Sequence, residues 1–367
     1  MGKSKIWLAS CFLLLIFLVG LLGCAPASSP KEGAQEEVVQ EKGGEITPPA
    51  KIELKLAHFW PAAHAVETVL VPEWAKAIEE ATDGQVIITS YPGETLLKAA
   101  EIYDGVVNSI ADIGISCFAY TRGRFPLSEV FELPGIIYNN SKVAGKVAWE
   151  GIKELDPDEV KDTKLLMVFT TGPGNLMTKD PVRTLEDLQG MEIRATGLSA
   201  KTLEALGAIP VAMPQSDTYE ALSKGVVKGN LAPNETLEGW RHAEVTDYLT
   251  ITPFLYNTLF FATINLDTWN SLPPDLQSTI EEVTEKFYED TAIGLWDSIC
   301  ESGLKFAVEE TGMEIIYLSD EETARWMEKI QPIHNDFIAD MDGKGLPGKE
   351  ALDVAKRLAD HYNEIYK

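Results

Sequence analysis

From residue 52 onward the chain changes its apolar spacing in short, regular alternations. Ile52-Glu-Leu-Lys-Leu-Ala57 alternates apolar and polar side chains, the period of a strand with one buried face. Over 67–82, Val69, Leu70, Trp74, Ala77 and Ile78 fall on one side of a helix, and Pro72 places the first regular turn near itself. Gln85-Val-Ile-Ile-Thr-Ser90 is β-branched and strand-like, and Tyr91-Pro-Gly93 stops it. A helix over 96–108 leads into a short strand over 112–116, and a further buried strand covers 164–170. Helix and strand patterns in alternation predict an α/β fold with mainly parallel sheets.

Gly and Pro punctuate the chain at Thr171-Gly-Pro-Gly174, where a second lobe is expected to begin. The pattern there predicts a strand over 191–196 and helices over 198–206 and 218–227. Pro273-Pro-Asp275 opens a helix with Pro in its first turn. Its periodicity continues past Val308, broken only weakly at Gly294 and Gly303. A helix of that length exceeds one lobe and is expected to bridge two. The expected organisation is lobe I over 52–172 with 258–298, and lobe II over 173–257 with 299–367. About 315 residues from 52 to the last are enough for two cores.

The first fifty residues read differently. Lys3 and Lys5 precede an apolar run over 6–22 that ends in Leu21-Leu-Gly-Cys24. A basic head, an apolar stretch and small residues describe a secretory signal, and Leu-x-Gly-Cys resembles a bacterial lipobox. The expectation is a lipoprotein signal over 1–23, lipid on Cys24, and an extracytoplasmic body held to a membrane by that anchor. An uncleaved transmembrane helix is the alternative, at the short limit of a span. The segment 24–51 is rich in Glu, Gln, Gly, Ser and Pro without an aromatic residue, and is expected to be a disordered tether.

Charge narrows the partners. Loss of residues 1–23 would remove two lysines and no acid, so −26 becomes −28. A body this acidic repels nucleic acid, and an anionic ligand needs a local cation to hold it. Of four cysteines, Cys11 lies in the leader and Cys24 at the lipobox, leaving Cys117 and Cys300 as two buried thiols or one disulfide.

Catalytic signatures are thin. The chain has no Gly-x-Ser-x-Gly elbow, no phosphate loop and no His-Glu-x-x-His. His58 and His64 bracket Phe59-Trp-Pro61 with no third ligand nearby in sequence, so no metal and no cofactor are expected. Asp340-Met-Asp-Gly343 reads as a turn, because Lys344 and Pro347 spoil a calcium loop. Ser116 or Cys117 is the best nucleophile a secreted hydrolase could use, without a recognisable base. One stretch stands apart. Thr184 can cap a short helix with Asp187 at its third position, Gly190 ends it, and Arg194 lies near the carboxyl end of the strand that follows. Ligands of open α/β sheets sit outside those strand ends, and a guanidinium offers a carboxylate two parallel donors. An interlobe ion pair is the plainer alternative for Arg194.

These residues carry a resemblance. Thr184-Leu-Glu-Asp-Leu-Gln-Gly190, Ile193-Arg194, Leu203-Glu-Ala-Leu-Gly-Ala-Ile-Pro-Val211, Met213-Pro214, Thr218-Tyr-Glu-Ala-Leu222 and Gly225-Val-Val227 succeed one another in order. Ala111-Asp-Ile-Gly114, Arg124-Phe-Pro126 and Glu132-Leu-Pro134 precede them, and Asn265, Trp269, Leu272 and Pro273 follow. The series resembles the substrate-binding subunits of TRAP transporters (tripartite ATP-independent periplasmic transporters), dicarboxylate-binding branch. The resemblance implies a periplasmic-binding-protein-like fold of two α/β lobes with a long helix spanning both. It implies that Arg194 bridges to the ligand carboxylate, and that the partner is a membrane permease pair driven by an ion gradient. Two polar positions of many relatives differ here: Asn175 or Leu176 stands where a second arginine is usual, and Ala232 replaces an asparagine. A second buried carboxylate or a sugar hydroxyl would lack partners, at a cost of about 1 kcal/mol or more each. The expectation is therefore a monomeric, non-enzymatic binding protein for a small organic acid, a monocarboxylate with an apolar or aromatic tail. Asn175 assists Arg194 in this reading. Phe59, Trp60, Phe118, Tyr120, Phe169, Met213, Tyr219 and Trp240 are the candidate pocket wall, with Phe169 the best candidate for plain core. A binding protein of an ABC importer or a ligand-sensing lipoprotein shares the two-lobe logic.

Overall fold

The computed structural model describes residues 51–367. The expected signal, the lipid site Cys24 and the tether up to residue 50 lie outside the described residues. Eleven strands form among the described residues. They are β1 Ile52–His58, β2 Val86–Tyr91, β3 Ile113–Cys117, β4 Thr163–Thr170, β5 Gly174–Thr178, β6 Glu192–Ala195, β7 Ile209–Ala212, β8 Gly229–Pro233, β9 Tyr248–Ile251, β10 Leu259–Asn265 and β11 Glu314–Tyr317. In β1 the alternation works as read: Leu54 and Leu56 are buried while Glu53 and Lys55 face solvent. The strands segregate into two sheets, ordered β2-β1-β3-β10-β4 and β11-β9-β5-β8-β6-β7.

The sheets are mainly parallel, as expected, with one reversed strand in each. β10 runs antiparallel to β3 and β4, and β5 runs antiparallel to β8 and β9. Each is the first strand after the chain passes from one sheet to the other. It therefore starts at the seam and runs outward, whereas the other strands run toward the seam. The carboxyl ends of β1, β3, β4, β6 and β8 consequently gather along one line.

The bridging helix is present in segments. Helix Pro274–Phe287 passes through a π turn, Tyr288–Ala292, into helix Leu295–Phe306 and a second π turn, Ala307–Thr311. Its first part packs on helix Val71–Ala81 beside the first sheet, where Trp74 Nε1 donates to Thr284 Oγ1 at 3.0 Å. Its later part packs on the short helix Thr236–Gly239, which follows β8 of the second sheet. Gly303 is required there, because a Cβ would collide with the carbonyl oxygen of Asn234.

Three local expectations differ. The helix expected over 218–227 spans Gln215–Lys224, entered behind Pro214 and closed by Gly225 at φ 73°. The turn expected at 340–343 is the last turn of helix Pro332–Gly343, and the chain reverses two residues later at Gly345. The assignment of all of 299–367 to the second lobe also fails. Helix Gly348–Ile365 buries Ala351, Leu352, Ala355, Leu358 and Ala359, and packs on helix Ser141–Leu155, which itself covers β4 of the first sheet. Asn363 Oδ1 fixes that return by accepting from Asn139 N at 2.9 Å.

Candidate ligand-binding site

The line of strand ends borders a narrow cavity between the two sheets. Phe59 and Trp60 follow β1, Cys117 ends β3 and leads to Tyr120, and Thr171 follows β4. From the second sheet come Arg194 on β6, Thr196 just past it, Gln215, Pro233 ending β8, and Glu235, Thr236 and Trp240 beyond it. Thr258 and Phe260 complete the wall at the start of β10.

Arg194 is positioned by local chemistry that the sequence announced. Thr184 and Asp187 form a reciprocal capping box around the turn Leu185–Leu188, and Gly190, at φ 74°, turns the chain into β6. Parallel pairing with β7 and β8 then fixes the register of Arg194 against Val211 and Asn230. The residue is only 3% exposed. Nε donates to the carbonyl of Met213 at 3.0 Å, one terminal nitrogen lies 3.4 Å from the Tyr120 hydroxyl, and the other lies 3.5 Å from Asn230 Oδ1. All three partners are neutral, and no carboxylate among the described residues lies within ion-pair distance of it. An isolated buried cation is costly, so this arrangement stores an affinity for an anion.

Three titratable groups near it, His242, Glu132 and Cys117, are held neutral. Burial, and then the Arg194 charge, push the His242 imidazole down to about 3. Burial raises the Glu132 carboxyl to about 8, against the opposing pull of the Leu259 N–H. Burial also lifts the Cys117 thiol well above its ordinary range. Neutral His242 lies within hydrogen-bond distance of Asn230 and Gln215, at 3.2 Å from each. Tyr120 links the lobes by accepting from Gln215 N at 2.9 Å. A second link is buried: His64 Nε2 lies 3.0 Å from Glu235 Oε2.

The apolar wall is aromatic. Phe59 stacks on Trp60 at 3.9 Å between ring centres and lies nearly parallel to Trp240 at 6.0 Å. Tyr120 meets Phe59 edge-on at 5.3 Å, and Phe260 meets Trp60 edge-on at 5.1 Å.

Of the candidates named from sequence, Arg194, Phe59, Trp60, Tyr120 and Trp240 line the cavity. Five others do not. Asn175 is held away by bonds from its Nδ2 to Asn234 Oδ1, 2.9 Å, and from Thr252 N to its Oδ1, 2.7 Å. Phe118 points into the first lobe's core against Phe125 and Phe261, and Phe169 packs on Phe260 and Trp296. Met213 contributes its carbonyl to Arg194, while its side chain packs with Ala221, Leu222 and Val227. Tyr219 is 37% exposed and its hydroxyl donates to Glu244 at 3.2 Å. Thr171, Thr196, Gln215, Glu235, Thr236 and Thr258 were missed. Their common signal is position, within a few residues of a strand end at the seam, and their side chains are too ordinary to attract notice. Cys117 and Cys300 are free thiols, and Ser116 donates to the Ala99 carbonyl at 2.9 Å. His58 is engaged by Glu67 at 2.8 Å.

Comparison with known proteins agrees with this geometry. The profile of the bacterial extracellular solute-binding proteins, family 7, matches residues 56–340. The C4-dicarboxylate-binding periplasmic protein DctP of Rhodobacter capsulatus is 29% identical over 272 residues, 71% of this chain and 78% of that one. A TRAP periplasmic solute-binding protein of Desulfovibrio salexigens, solved as an open complex with the C-terminus of a symmetry mate in its ligand site, is 37% identical with a TM-score of 0.74, covering 85% of this chain and 97% of that one. A marine metagenome TRAP solute-binding protein specific for aromatic acid ligands, solved with metahydroxyphenylacetate, is 29% identical with a TM-score of 0.81, covering 85% and 99%.

Proposed function

The chain belongs to the bacterial extracellular solute-binding proteins of family 7, and from that membership we propose that it captures a small aromatic monocarboxylate between its two lobes and delivers it to a TRAP-type membrane permease. The carrying observation is Arg194: a buried guanidinium with neutral protein partners, opening on a cavity walled by Phe59, Trp60, Tyr120 and Trp240. The ligand carboxylate completes the charge, and the rings take its body. Arg194 is the one cationic side chain on the cavity wall among the described residues. A C4-dicarboxylate, the ligand in the name of the Rhodobacter relative, would leave its second charge unmatched.

The lobes close on the ligand and open to release it. Higher structural agreement with the aromatic-acid complex than with the open complex, despite lower identity, supports a closed arrangement here. Nothing in the site activates a nucleophile, so the protein binds and does not catalyse. Lipid on Cys24 holds it at the outer face of the membrane, next to its permease.

A thermal-shift screen tests the reading, because a ligand that binds only the folded state raises the melting temperature. Benzoate, phenylacetate and mandelate are expected to raise it, and succinate and malate are not. A shift with succinate and none with any aromatic acid would sink the proposal.

A further inference from the structure

We propose that Glu235 is a second specificity-determining residue, which selects acids carrying a hydroxyl on the aromatic body and rejects acids with a second carboxylate. The inference rests on the aromatic monocarboxylate reading and sharpens it. Glu235 lies two residues past the end of β8, is only 4% exposed, and stands between the Arg194 cavity and a neighbouring pocket beside His64 and Gly239, lining both. Its hydrogen bonding is half complete. His64 Nδ1 accepts from Val66 N at 3.1 Å, so the ring proton sits on Nε2 and is donated to Glu235 Oε2 at 3.0 Å. Glu235 is thereby fixed as an acceptor, and its Oε1 has no hydrogen-bond partner among the described residues. Gly239 backs the pair closely: a Cβ there would stand 2.8 Å from His64 Cδ2 and 3.1 Å from Glu235 Oε2.

The same wall carries an opposite need. The indole Nε1 of Trp240 is buried without a hydrogen-bond partner. Glu235 asks for a donor and Trp240 for an acceptor. A hydroxyl is the small neutral group that supplies both. An ammonium answers only Glu235, and a carboxylate answers only Trp240 while facing a like charge in a buried site. The single cation of the wall, Arg194, is already used by the first carboxylate. Selection by this pair works through unpaired polar groups, which discriminate strongly when the ligand lacks their complement.

Calorimetry with benzoate, its three monohydroxy isomers and isophthalate tests this on the wild type, Glu235→Ala and Glu235→Gln. At least one hydroxy isomer is expected to bind the wild type at least about tenfold more tightly than benzoate. Isophthalate is expected not to bind it. In Glu235→Ala the ratio of hydroxy acid to benzoate should fall below about threefold, and Glu235→Gln should admit isophthalate. Equal binding of benzoate and every hydroxy isomer by the wild type overturns the assignment while leaving the aromatic reading intact. So does a hydroxyl preference that survives in Glu235→Ala. Failure of every acid in the series to bind the wild type overturns both. The wild-type ranking decides alone if a variant does not fold.

Discussion

Glu132 gives the sharpest quantitative prediction, through its replacement by Gln. The residue is 1% exposed. Oε1 accepts from Leu259 N at 2.7 Å, and Oε2 is buried without a partner, facing Gly197 across the seam. Burial moves it from 4.5 to about 8, with nearby Glu129 adding to the rise. The folded chain therefore keeps a proton that the unfolded chain has lost throughout the interval between those two values. Stability then declines as pH rises through it, at about 1.4 kcal/mol per pH unit. Across 8 less 4.5, the loss is roughly 5 kcal/mol, and roughly 3 kcal/mol of it is present at pH 7. Glutamine copies the shape of the neutral acid and never ionises. Urea unfolding of both proteins from pH 4.5 to 9 should show near-equal stability at the acid end. Glu132→Gln should pull ahead with rising pH, and the gap should level off above the folded value. A gap that stays constant with pH, or a wild type that is the more stable at pH 8, refutes the reasoning.

Two further predictions concern binding. Arg194→Ala should weaken an aromatic acid by roughly 2–5 kcal/mol by calorimetry, and Arg194→Lys should recover little, because an ammonium cannot hold the Met213 carbonyl and present a planar pair of donors together; wild-type affinity in Arg194→Ala would remove the anchor. Gly197→Ala should impair closure, since Gly197 has φ 53° and a Cβ would lie 2.8 Å from Ala119 Cβ on the other lobe; small-angle scattering should show no ligand-dependent compaction and affinity should drop about tenfold, whereas normal compaction would show that this contact is not part of closure.

What the sequence made legible followed from local rules. The strand alternation at 52–57, the capping box at Thr184 and the placement of Arg194 at a strand's carboxyl end each depend on residues close together in the chain. What escaped depends on distant pairing. Antiparallel β5 and β10 have no local mark, because an inward and an outward strand share one hydrophobic pattern. Helix Gly348–Ile365 displays a clear apolar stripe, yet nothing in the stripe says that helix Ser141–Leu155 will cover it. The aromatic candidates divided in the same way. Trp60 and Phe118 both follow strands, but Phe118 belongs to a tight turn that sends its ring to the core side. Glu235 and Gln215 carry no mark in the sequence, because acidic and amide residues are common on a chain this acidic, and only their burial singles them out.

The π turn at Tyr288–Ala292 has a consequence for the helix that joins the two sheets. Closing a turn over one extra residue rotates everything after it by about 100° relative to an uninterrupted helix. The buried stripe upstream, through Leu276, Ile280 and Thr284, runs on residues four apart and would drift off line in a straight helix. After the π turn the stripe resumes at Trp296 and reaches Gly303, the position that touches the backbone beyond β8. The insertion thus sets the angular phase between the two ends of one rod. Deleting a single residue there would leave each half helical but aim the second half's apolar side away from the lobe it has to grip.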